Sequence, residues 1–154
     1  MSIDIGSSSV SLSYNPKDRE IAYKLWVELS TRKIGIPFDE KNDVIVEVYN
    51  SWYEFFKIAR DLMKDIPASQ INYSSELIEL TEKVLNNGLR PHLTLWQAKF
   101  RKWYEYQSEN SKEVSPQELQ RKYERYDALL TDLKATNAKM IEYKELMRKI
   151  AFEK

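Results

Sequence analysis

"NNGLRPHLTLWQAKFRKWYE", Asn86–Glu105, is the stretch on which the reading of this chain turns. Asn86, Asn87 and Gly88 are residue types that tolerate a left-handed helix cap, and Pro91 suits the first turn of a following helix, where its missing N–H costs nothing. Leu93, Trp96, Phe100 and Trp103 then recur at spacings of three and four, which is one face of a helix. The stretch therefore predicts a helix-turn-helix joint. One helix ends near Asn86, and the next turns an aromatic face to the core.

Before the joint, Leu77, Leu80, Val84 and Leu85 predict a helix from Ser74 or Ser75 to Asn86. Earlier still, Asp39 to Lys64 reads as a longer helix. Its apolar residues Ile45, Val48, Trp52, Phe55, Ala59, Leu62 and Ile66 form one line, and Tyr49, Tyr53, Phe56 and Met63 form a second beside it. So wide an apolar arc suits a helix that contacts more than one neighbour and centres the core. Its opposite face, through Glu47, Asn50, Glu54, Lys57, Asp61 and Lys64, alternates in sign. That pattern belongs to a solvated surface rather than to a carboxylate metal site. Asn15 as N-cap and Pro16 at the first helical position open the first helix, expected to run to about Lys33 along Ile21, Leu25 and Leu29. Gly35 then fits a left-handed cap.

After the aromatic helix, "SPQE" is a capping box: Ser115 at the N-cap, Pro116 at the first position, Glu118 at the third. No Gly or Pro follows. Leu119, Tyr126, Leu129, Leu133, Thr136, Met140, Tyr143, Met147 and Ile150 keep a seven-residue pattern interrupted only at Lys122. One helix of about 35 residues, about 50 Å long, is expected. If it projects past its shorter partners, Met140, Tyr143, Met147 and Ile150 would offer an apolar seam for dimerisation or for another protein; Thr136 and Asn137 could set register there, but read more simply as a kink or as solvent-facing residues. Residues 1–14, with Ile3/Ile5 and Val10/Leu12/Tyr14 alternating around Gly6 and three serines, read as a short β-like arm. The expected architecture is all-α: an up-and-down bundle of about five helices over residues 15–154, with a long C-terminal helix.

Composition removes several classes of chemistry. The 154 residues are one domain's worth, and 24 Lys plus Arg balance 24 Asp plus Glu, so no overall field favours a polyanion. Without cysteine there are no thiol nucleophiles, disulfides or sulfur-ligated metals, and a single histidine leaves no His cluster. Gly-rich phosphate loops and a nucleophile elbow are both missing from the sequence. No cofactor and no catalytic residue is expected. No apolar run reaches the roughly 18 residues that span a bilayer, so a cytoplasmic chain is expected.

His92, unique in the chain, falls just inside a predicted helix start, where the helix dipole disfavours an imidazolium. It reads as a neutral, partly exposed residue beside Arg90. Neither is explained by the stop and start chemistry of the joint or by core periodicity, so both are candidates for contact with a partner. An enzyme would require Glu28, Arg32, Arg90 and His92 to converge in a pocket. Lys99, Arg101 and Lys102 lie outside the aromatic line and could touch phosphates, which makes nucleic-acid binding through Lys99–Tyr106 the alternative function.

Leu25-Trp-Val-Glu-Leu-x-Thr-Arg32 and Leu89-Arg-Pro-x-Leu-x-x-Trp96 carry a resemblance. Over Asn15–Glu105 the chain resembles an uncharacterised bacterial family of helical cytosolic domains associated with mobile and defence-related genomic islands. The resemblance implies a helical domain, a setting in phage defence and, since such domains often follow an N-terminal membrane segment, the cytosolic part of a membrane-anchored protein. It implies no activity. The expected function is a non-enzymatic protein-interaction or scaffold domain, docking a partner on the last helix or beside the Leu89–Trp96 joint.

Overall fold

The computed structural model describes residues 14–152. Its helices are α1 (Pro16–Thr31), α2 (Ile45–Lys64), α3 (Ser75–Lys83), α4 (Arg90–Asn110), α5 (Pro116–Gln120) and α6 (Tyr126–Phe152). Five are full helices and α5 is little more than one turn, so the all-α bundle with a long last helix is the observed architecture. The expected β-like arm lies outside the described residues.

Helix starts follow local chemistry where the residues supply it. The Asn15 side chain accepts from the Asp18 N–H at 2.8 Å, and the Ser115 hydroxyl accepts from the Glu118 N–H at 3.2 Å. Helix α2 is different. It begins at Ile45 rather than Asp39, because the Asp39 carboxylate accepts from the N–H groups of Lys41 and Asn42 and holds those residues in a turn. Val44, at the N-cap, has no capping oxygen. Its place is taken from a distance: Gln120 Oε1 accepts from Ile45 N–H at 2.9 Å, while its amide N–H donates to the Asp43 carbonyl, also at 2.9 Å.

That use of Gln120 coincides with the break in the expected 35-residue helix. Helix α5 stops at Gln120, the chain turns, and α6 starts at Tyr126, so the lapse in the heptad at Lys122 marks a real interruption. The remaining 27 residues span about 40 Å. They do not project. Helix α6 packs along α1 and against the residues joining α3 to α4. Met140, Tyr143 and Met147 are fully buried and Ile150 is nearly so. The expectation that these four form an exposed seam is therefore corrected: they are core, and the apolar stripe is used inside the molecule.

Thr136 and Asn137 are likewise interior. Asn137 ties the α1–α2 loop to α6, accepting from Phe38 N–H at 2.9 Å and donating to the carbonyls of Ile34 and Ile36 at 3.1 Å each. Lys144 Nζ adds a bond to the Gly35 carbonyl at 2.7 Å. Gly35 is not left-handed. Its need for glycine is close approach, since a Cβ there would lie 2.1 Å from the Leu29 carbonyl oxygen.

The expected turn after Asn86 is absent as well. Helix α3 runs into α4 through a π-helical segment, Val84–Leu89, with Val84, Leu85, Gly88 and Leu89 buried and no positive φ. The wider π turn takes up the Asn-Asn-Gly residues without ending the helix, and Pro91, just after it, is the position at the start of α4 that has no N–H to give to the ladder.

Candidate functional site

Helix α2 faces the core with its first apolar line. Ile45, Val48, Trp52, Phe55 and Ala59 are buried, and Tyr49 joins them from the second line. The rest of that second line is left partly uncovered: Tyr53 is 58 % exposed, and Phe56 and Met63 are half-buried. Beside it stands the start of α4. The π segment widens the helix just ahead of Arg90, and the guanidinium of Arg90 lies 4.5 Å from the centre of the Phe56 ring. Arg60, one turn along α2 from Phe56, reaches the same ring at 5.6 Å. Arg90 Nε also donates to Asn86 Oδ1 across one turn, at 3.1 Å.

Two adjoining clefts open here. The first, about 230 Å³, is lined by Tyr53, Phe56, Arg60, Arg90, Leu93 and Thr94, among others. The second, about 310 Å³, shares Phe56, Arg60 and Arg90 and adds Met63, Ile78 and Leu85 on its apolar side. Arg60 and Arg90 are exposed, and neither forms an ion pair among the described residues. Unneutralised cations over an aromatic floor can hold an anion or a polar partner.

His92 is not in this groove. It is 1 % exposed rather than partly exposed, and lies between Tyr49 and Asp132. Its Nε2 is 2.8 Å from the Tyr49 hydroxyl and its Nδ1 is 2.6 Å from Asp132 Oδ2, which also accepts from Trp96 Nε1–H at 3.2 Å. A neutral ring that donates from Nδ1 to the carboxylate and accepts from the tyrosine satisfies every member. Burial pulls the imidazole below its ordinary range against the upward pull of Asp132, and burial raises the Tyr49 phenol well above its own. Tyr49 is itself buried, so in this Asp-His-Tyr chain only the Asp132 carboxylate meets solvent. It is a polar brace between α2, α4 and α6.

The residues required by the enzymatic reading are not brought together. Glu28 and Arg32 form their own pair at 2.6 Å on α1, Arg90 stacks on Phe56, and His92 is enclosed. Lys99, Arg101 and Lys102 are exposed on α4. Of the tyrosines beside them, Tyr106 stands free at 66 % exposure while Tyr104 stacks on Phe100. The partial exposure of the second α2 line could not be seen in its spacing, and Arg60 had no local signal at all. Among the described residues no group of acidic or histidine side chains could hold a metal, and no helix is long and apolar enough to cross a membrane. No protein-family model, curated protein or solved structure matches the chain.

Proposed function

We propose that the chain is a non-enzymatic helical interaction domain that docks a protein partner in the groove between α2 and the start of α4. The observation that carries this reading is the uncovered second line of α2. Tyr53, Phe56 and Met63 present an apolar strip that the bundle leaves half open, flanked by Arg60 and Arg90. Aromatic and arginine side chains around a concavity are the composition that dominates protein-recognition energetics. By this reading the four α6 residues once expected to meet a partner serve the core, and recognition falls to Arg90 and its neighbours.

A photo-crosslinking amino acid at position 53 tests the reading in the native cell, with position 113, on the loop after α4, as control. One protein captured from position 53 and not from 113, then shown by calorimetry with purified components to bind the full chain and to lose affinity for Arg90→Gln, supports it. Equal capture from both positions, or purified components that do not bind, would overturn it.

Exposed Lys99, Arg101 and Lys102 favour a second reading, weak contact with nucleic acid. Filter binding to single and double strands at low and moderate salt separates the two, because phosphate contacts weaken steeply as salt rises. No retention at low salt removes the second reading.

A further inference from the structure

The groove has a shared wall. Phe56, Arg60 and Arg90 line both clefts, so each cleft holds its own apolar side, Tyr53 and Leu93 in one and Met63, Ile78 and Leu85 in the other. Two guanidiniums gathered on one ring repel each other, and the ring's quadrupole offsets only part of that. Among the described residues Lys17, Arg32, Lys33, Lys64, Lys134 and Arg148 each meet a carboxylate. Arg60 and Arg90 do not, although Glu82 stands on the wall of the second cleft. The shared wall therefore has positive charge available at its rim and an apolar recess on either side.

We infer that the groove recognises a peptide segment in which one carboxylate is flanked by two large apolar side chains. The carboxylate accepts from the guanidiniums of Arg60 and Arg90, and one apolar side chain enters each cleft. This rests on the protein-docking reading above and specifies its occupant. The size agrees: volumes of about 230 and 310 Å³ lie at or below the small end of ligand sites, about 300–1,000 Å³, and suit single side chains. A nucleic-acid strand fits less well. It needs a track of cations and free aromatic faces, whereas here Glu82 borders the site and Arg90 covers Phe56.

Random peptides displayed on phage and selected against the immobilised full chain test the inference. Enriched sequences should place Asp or Glu between apolar residues. In a synthetic peptide of the enriched sequence, replacing the acid by its amide should weaken binding at least about tenfold, the usual scale for losing a charge-assisted hydrogen bond. Arg60→Gln and Arg90→Gln should each do the same while leaving the thermal melt in place. Should Arg90→Gln misfold, Arg60→Gln and the charge-keeping Arg90→Lys carry the test. Arg90→Glu should regain binding to a peptide whose acid is replaced by Lys. If enriched peptides bind both glutamine variants as they bind the parent chain, this inference fails and the docking reading survives. If nothing is enriched, both fail. A phosphoserine peptide binding more than tenfold tighter than its glutamate counterpart would overturn the choice of carboxylate.

Discussion

His92 Nδ1 and Asp132 Oδ2 lie 2.6 Å apart across α4 and α6, yet the imidazole is sealed from solvent while the carboxylate is 46 % exposed. The brace is thus anchored in the core and ends at the surface. Its strength depends on His92 remaining neutral, because burial depresses the imidazole more than Asp132 raises it.

A pH dependence follows from that direction. The unfolded chain takes up the His92 proton near the ordinary value of about 6.5, while the folded chain does so only at lower pH. This contribution to stability is complete above about pH 6.5 and declines as acid carries the solution down through the folded midpoint. Since the chain has one histidine, its ring signals in NMR identify themselves. The expected midpoint lies below that of a free imidazole, and His92→Gln should flatten the urea-stability curve between about pH 5 and 7. A midpoint above 6.5 would contradict the assignment.

Asn137→Ala should lower stability by about 3 kcal/mol, because it strips the Phe38 N–H and the Ile34 and Ile36 carbonyls of their partner in a buried loop. Asn137→Asp should cost at least as much at neutral pH. It keeps the acceptor but turns a carboxylate towards those carbonyl oxygens. Urea midpoints of the two variants check the order, and an aspartate milder than alanine would show that the donors matter little.

Gly35→Ala should destabilise by about 1–3 kcal/mol through overpacking, since its Cβ would meet backbone rather than a movable side chain. A chemical-denaturation curve unchanged from the parent would mean that the α1–α2 loop can shift freely.

The buried hydroxyls of Thr81 and Tyr143 lie 2.7 Å apart and join α3 to α6. Tyr143→Phe and Thr81→Val should each cost about 1–2 kcal/mol by stranding the other, and the double variant should cost clearly less than their sum. A double-mutant cycle measures the difference, and strict additivity would deny the bond an energetic role.

What the sequence revealed was local. Asn15-Pro16 and Ser115-Pro116-x-Glu118 announced helix starts that the structure contains, and the spacings of Leu25, Trp52 and Phe100 placed those residues inside. What it concealed was satisfied from far along the chain. Gln120 caps a helix 75 residues earlier, Asn137 grips a loop about a hundred residues away, and His92 finds Asp132 at a separation of 40. None of these pairings leaves a trace in a window of neighbours. The joint at Asn86–Gly88 misled for another reason: residues that stop a helix can also be accommodated in a π turn, and only the burial of Leu85 and Leu89 on either side decides which. The candidate groove was half legible. Arg90 stood out by belonging to no pattern, whereas Tyr53, Phe56 and Met63 passed for core.

The long contact of α6 with α1 sets a timetable for synthesis. Helix α1 leaves the ribosome early, but Ile21, Leu25 and Leu29 have their main cover only when the segment ending near Ile150 follows. Until then the first helix is an apolar surface waiting for a partner about a hundred residues downstream, and long-range pairing of this kind leaves apolar surface open while the chain is incomplete.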